Sequence, residues 1–137
     1  MRTSIFIRLA TPEEGPFVGS LVKAYGGPQW EWLDWSSVYP YWLIGEVDGV
    51  ARGVIMASPG KPFGRAEYLC LDPSLPHRQK ALIAKELSYG AIAQCRLWGS
   101  QCVNSEIASH DGAWGQIAKK RGWVEVGQGT SYMKRCV

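Results

Sequence analysis

The chain has 137 residues, 46% of them hydrophobic and 20% charged, the balance of a single globular domain spanning residues 1–137. A formal net charge of +3 is too small to point to a nucleic-acid partner or a membrane surface. No run reaches the roughly 18 apolar residues of a membrane span. MRTSIFIRLA lacks the pattern of a signal peptide, so residence in the cytosol is the expectation.

SIFIRLA, residues 4–10, reads as a strand. Thr11, Pro12 and Glu14 then form the signature of a capped helix start, and Phe17, Leu21 and Tyr25 follow on one face with Val18 and Val22 beside them. Gly26 and Gly27 stop that helix. Four of the seven tryptophans, Trp30, Trp32, Trp35 and Trp42, crowd into PQWEWLDWSSVYPYW. Such a segment is either an aromatic side of the core or an interface for a protein partner or self-assembly, because Trp and Tyr anchor interfaces.

YWLIGEV and VARGVIMAS read as strands joined by Asp48-Gly49, a strong hairpin signal. After the turn PGKPFGR comes the strand EYLCL. A helix follows with Ile83, Leu87, Ala91, Cys95 and Trp98 as its apolar stripe. QCVNSEI, residues 101–107, is the next strand. Ser109 or Asp111 can cap a last helix carrying Trp114, Ile117 and Ala118, which ends in Lys119-Lys120-Arg121-Gly122. Those cations suit the negative pole of a helix better than a nucleic-acid surface. WVEVG and TSYMKRC complete the pattern as a hairpin. The four cysteines, Cys70, Cys95, Cys102 and Cys136, form no CxxC pair and read as reduced thiols, with no metal set. The order is β-α-(α)-β-β-β-α-β-α-β-β, a mixed α/β domain.

This order resembles the GNAT superfamily of N-acetyltransferases, an acyl-CoA N-acyltransferase-like fold. IRLATPEE is similar to that family's first strand and capped helix. LCLDP with HRQKALIAKEL is similar to its fourth strand and the helix that receives the cofactor. HDGAWGQIAKKRGWVEVG with TSYMKR is similar to its closing elements. The resemblance implies acetyl-CoA lying where the fourth and fifth strands part. Backbone groups around Cys70, Leu71 and Asp72 would pair with the pantetheine arm, and the turn would aim its amides at the pyrophosphate. Laid on the family's turn, the chain has Arg78, Gln79, Lys80, Ala81, Leu82 and Ile83; starting one residue later, at Gln79, fits Ala84 at the end but puts Leu82 at the first glycine. Ile83 stands where the family carries Gly or Ala, so its side chain would either enter the phosphate's volume or turn inward as core.

The resemblance also implies a base at Glu67 and a carbonyl donor at a backbone N–H near Leu71. The tyrosine that the family often uses as an acid falls at Ala118, leaving His110 or Tyr132 to substitute. On these residues the chain leans toward a non-catalytic or atypical GNAT-like module with a binding or structural role, of which a bacteriophage virion or tail component is one case. The alternative is an acetyl-CoA-dependent N-acetyltransferase acting on a small amine or a protein amine by direct transfer.

Overall fold

The computed structural model describes residues 3–26, 41–105 and 112–126. The chain divides into two compact units, Met1–Ser105 and Glu106–Val137. In the first unit, strand β1 (Ile5–Leu9) leads through a 3-10 turn at Pro12–Glu14 into helix α1 (Gly15–Gly26). The expected cap is present: the Glu14 carboxylate accepts the Thr11 N–H at 2.9 Å. The same carboxylate takes a two-pronged bond from Arg8 at 2.6 and 2.9 Å, which ties the start of α1 to β1.

That fork, opposed in part by burial, holds the Glu14 carboxyl at about 2, well below the usual range. A depressed folded pKa stabilises the fold above the unfolded pKa, and the contribution disappears as pH falls through the folded value. Glu14→Gln is therefore expected to cost about 2 kcal/mol at neutral pH. The difference from the wild type should shrink between about pH 4.5 and pH 2 in urea-unfolding curves. A gap that persists unchanged at pH 2 would refute the assignment.

β2 (Trp42–Val47) and β3 (Val50–Ser58) form the expected hairpin, with Asp48 at φ 51° and Gly49 at φ 82°, as a primed turn requires. β4 (Phe63–Leu71), α2 (His77–Leu97) and β5 (Cys102–Asn104) follow. The sheet order is β1-β2-β3-β4-β5. The first four strands are antiparallel in sequence, and β5 joins β4 in parallel. The parallel step follows from chain direction, because α2 carries the chain back before β5 begins.

Each face of the sheet is covered by one helix. On one side Ile83, Leu87, Ala91 and Cys95 of α2 pack with Leu43, Ile55, Ala57 and Ala66. On the other, Val18, Leu21 and Val22 of α1 pack with Ile44, Val54 and Cys70. Trp42 is 5% exposed within this second cluster. The expectation that it belongs to an interface is corrected: its side chain points from β2 into the core beneath α1. Trp30, Trp32 and Trp35 lie outside the described residues. No helix among the described residues is long and apolar enough to cross a membrane.

In the second unit, α3 (Gly112–Lys120) ends as its glycine foretells. Gly122 adopts φ 89°, the Trp123 N–H reaches the Ala118 carbonyl at 3.1 Å, and the Gly122 N–H reaches Lys119 at 3.2 Å. Residues 123–126 are not a strand, contrary to expectation, and Val124 and Val126 are exposed. A strand exists only against a ladder partner, and TSYMKRC, the expected partner, lies outside the described residues.

Candidate functional site: an opened strand edge and the start of α2

β4 and β5 pair only at Phe63–Cys102, Gly64–Val103 and Arg65–Asn104. β4 then continues to Leu71 with no strand beside it among the described residues. An open strand edge presents unpaired N–H and C=O groups that an extended ligand can join. Their direction can be read from one bond, because the Asp72 N–H donates to the Arg52 carbonyl at 2.8 Å on the β3 side. Since a strand alternates, the Leu71 backbone groups point away from β3 into the opening.

The edge is interrupted by a bulge. Met56 faces Glu67 and Val54 faces Cys70, so one β3 residue stands opposite two residues of β4. Tyr68 takes φ 57° there. Bulges bend a strand and re-aim its groups, and this one lies at the beginning of the unpaired stretch.

Ala66 belongs to the cluster under α2, so Arg65 and Glu67 on either side of it face the α1 layer. Arg65 donates from Nε to Glu67 Oε1 at 2.8 Å, and its Nη2 donates to the same oxygen. The Glu67 side chain is 12% exposed and that of Arg65 is 51% exposed, so the carboxylate is sheltered and its partner is half in solvent. Glu67 thus lies just beyond the last β4–β5 pair, beside the opening.

Past Leu71 the turn is built on Asp72. Its Oδ1 accepts the Ser74 N–H at 2.9 Å and the Ser74 hydroxyl at 2.7 Å, while Oδ2 accepts Arg52 Nη1 at 2.7 Å. The Ser74 bonds, with Arg52 behind them, hold the buried Asp72 carboxyl below its ordinary value. The side chain of Asp72 therefore orders the turn, and its amide is engaged with β3 rather than open to a cofactor. The Asp-x-Ser spacing is a local signal for such a turn. Arg52 is the extra residue of a second bulge, between the Gly45–Gly53 and Glu46–Ala51 pairs, and only the folded sheet brings it to Asp72.

α2 begins at His77, with Pro76 before it, no side-chain cap and no acid in its first turn. The first bond of the helix runs from the Lys80 N–H to the Pro76 carbonyl at 3.0 Å. The N–H groups of His77, Arg78 and Gln79 therefore lie ahead of the helical ladder, at its positive end. A depression of about 440 Å3 at this end is lined by Thr3, Pro76, Arg78, Gln79 and Leu82. Ala81 is exposed, while Ile83 is completely buried. Of the two places open to Ile83, it takes the core. It lies over Gly45, where an added Cβ would come within 3.0 Å of its Cδ1 and Cγ1. Its methyl groups do not occupy the space before the helix.

Burial raises the Cys70 thiol to about 11, so it stays protonated at neutral pH and is no nucleophile. Ala118 lies in α3, and no proton donor stands in its place. His110 and Tyr132 lie outside the described residues. Among the described residues no cluster of His, Cys, Asp or Glu could hold a metal ion. Arg65, Arg52 and Ser74 were not among the residues the sequence singled out. Arg65 had a local signal in its two-residue step from Glu67 on one strand face, and Ser74 in the Asp-x-Ser spacing, whereas Arg52 had none.

No protein-family model and no curated protein matches the sequence. Solved structures match over nearly its whole length. The aminoglycoside N-acetyltransferase AAC(6')-Iy in complex with CoA superposes with a TM-score of 0.77 at 20% identity, covering 99% of this chain and 98% of the other. An aminoglycoside acetyltransferase from an uncultured soil metagenomic sample, in complex with sisomicin, gives 0.71 at 14% identity, covering 97% of each chain. A ribosomal-protein-alanine N-acetyltransferase from Brucella melitensis biovar Abortus 2308 gives 0.63 at 16% identity, covering 97% and 100%. With a β5 that joins β4 in parallel and a bulged β4, the chain has the mixed α/β fold of the GNAT acyl-CoA N-acyltransferases.

Proposed function

We propose that the chain is an N-acetyltransferase that acts in the cytosol by direct transfer from acetyl-CoA to a small amine or a protein amine. The observation that carries this reading is the stretch of β4 after Arg65, which has no strand beside it among the described residues and leads to the uncapped start of α2. The residues present fit the cofactor. The Leu71 backbone can pair with an extended arm as an added strand would. The first-turn amides of α2, with Arg78 and Lys80, suit a diphosphate. With Ile83 in the core, its side chain is no obstacle to a ligand at the turn, and Leu82 is the bulky residue left lining the depression.

Bound acetyl-CoA supplies an activated acetyl thioester. Glu67 would take the proton that the acceptor amine loses as its nitrogen bonds to the acyl carbon, while the C–S bond breaks and coenzyme A leaves as its thiolate. A backbone N–H near Leu71 would donate to the thioester oxygen on which negative charge develops. A purely structural role, in a virion or elsewhere, loses the support of Ile83 and Trp42, which lie in the core, and keeps that of Ala118, where no proton donor stands.

The cofactor part of the reading is tested by thermal unfolding with acetyl-CoA. A ligand at about one hundred times its dissociation constant adds about 2.7 kcal/mol, a rise of several degrees for a chain of this size. No rise at millimolar acetyl-CoA would refute the proposal.

A further inference from the structure

We propose that Asp72 is the positioning residue of the cofactor turn, clamped by Arg52 so that the diphosphate of acetyl-CoA is met by the N–H groups of His77, Arg78 and Gln79. The inference rests on the reading of the chain as an acetyl-CoA-dependent enzyme. It starts from the backbone donors between β4 and α2. The Asp72 N–H goes to the Arg52 carbonyl at 2.8 Å, the Ser74 N–H to Asp72 Oδ1 at 2.9 Å and the Leu75 N–H to the Asp72 carbonyl at 3.2 Å. Pro73 and Pro76 have no N–H to give. Every backbone donor of residues 72–76 is therefore engaged within the turn or with β3. The next donors along the chain are the three that lie ahead of the helical ladder, whose first bond is made by Lys80.

The Asp72 carboxylate holds this arrangement from both sides. Oδ1 also accepts the Ser74 hydroxyl at 2.7 Å, and Oδ2 accepts Arg52 Nη1 at 2.7 Å. Arg52 thus grips one residue through its carbonyl and its guanidinium at once, and it can do so because it is the extra residue of the β2–β3 bulge. Asp72 is 6% exposed, and Leu75 anchors the same turn in the core under α2. A turn without glycine takes its shape from these side-chain bonds, and it is ordered before the ligand arrives. Leu71, one residue earlier, is held differently, by its pairing with Gly53 in the β3–β4 ladder. The edge offered to the pantetheine arm does not depend on the carboxylate, whereas the diphosphate end does.

Two ligands separate the two ends: acetyl-CoA, measured by calorimetry, and S-acetylpantetheine, the same arm without a diphosphate, measured by its displacement of acetyl-CoA. In Asp72→Asn the amide oxygen can keep Ser74, but its NH2 is turned toward Arg52, and two donors cannot bond each other. Acetyl-CoA should then bind about tenfold more weakly, with S-acetylpantetheine within about twofold of the wild type. Arg52→Gln should give the same pattern, and Arg52→Lys, which can still donate to Oδ2, should recover most of the loss. Equal losses for both ligands would mean that Asp72 merely supports the fold. An acetyl-CoA affinity within about twofold of the wild type in both Asp72→Asn and Arg52→Gln would mean that the turn keeps its shape without the clamp. Either result overturns the inference. Should Asp72→Asn fail to fold, Arg52→Gln carries the same comparison, because the Arg52 side chain is 38% exposed. A wild type that binds acetyl-CoA, with variants that bind it equally well, sinks this inference alone, whereas a wild type that does not bind it sinks the acetyltransferase reading as well.

Discussion

Replacing Ile83 with alanine is expected to destabilise the chain by about 3–4 kcal/mol without tightening its hold on acetyl-CoA. Ile83 is completely buried between α2 and the sheet, and it meets the sheet where β2 has no side chain, at Gly45. Gly53 serves the neighbouring position in the same way, since a Cβ there would lie 2.9 Å from Leu71 Cδ2 and 3.1 Å from Leu87 Cδ1. Two strand glycines thus form a floor on which two branched helix residues rest. Removing three carbons from Ile83 leaves a hole that neither glycine can fill, so the loss includes a cavity contribution as well as the transfer free energy. With a urea slope of roughly 1.5 kcal/mol/M, the midpoint should fall by about 2 M. The opposite result, a loss below about 1 kcal/mol with tighter cofactor binding, would mean that Ile83 faces the turn after all.

Ile83 also shows where the sequence was legible and where it was not. The helix itself could be read from the three- and four-residue steps of Ile83, Leu87, Ala91 and Cys95, and all four are buried together. The same letters, laid on a phosphate-binding turn, left two places open for Ile83. Choosing between them needs Gly45, which is distant in sequence and comes under α2 only when β2 and β3 pair. The hairpin at Asp48-Gly49 and the stop at Gly122 were legible because a positive φ is a local demand that few residues meet.

Other features had no local signature. Arg52 reaches Asp72 because a bulge shifts the β2–β3 register, and no short window of sequence contains that shift. Trp42 sat in a run of aromatic residues and was read with them. The alternation of β2 turns it inward while Tyr41 beside it stays partly exposed, edge-on to Trp98 at 6.2 Å. Composition described the segment, but strand parity decided the residue.

Glu67→Gln should lower kcat by about 10²- to 10⁴-fold while leaving the acetyl-CoA thermal shift intact. The amide keeps the volume and can still accept one bond from Arg65, but it cannot take up a proton at neutral pH. Backbone groups at Leu71 and the start of α2 are untouched, so cofactor affinity has no reason to change. The decisive comparison is between acceptors that arrive with and without a proton to lose. If Glu67 removes that proton, raising the pH should recover part of the variant's rate, because more of the amine is then already neutral. An acceptor of low basicity should be affected least. A variant that loses the cofactor shift along with the rate would show that Glu67 holds the strand edge together, whereas a rate within about threefold of the wild type would remove it from the chemistry. Its place beside the opening, with Arg65 binding only one of its oxygens, favours the proton-transfer role.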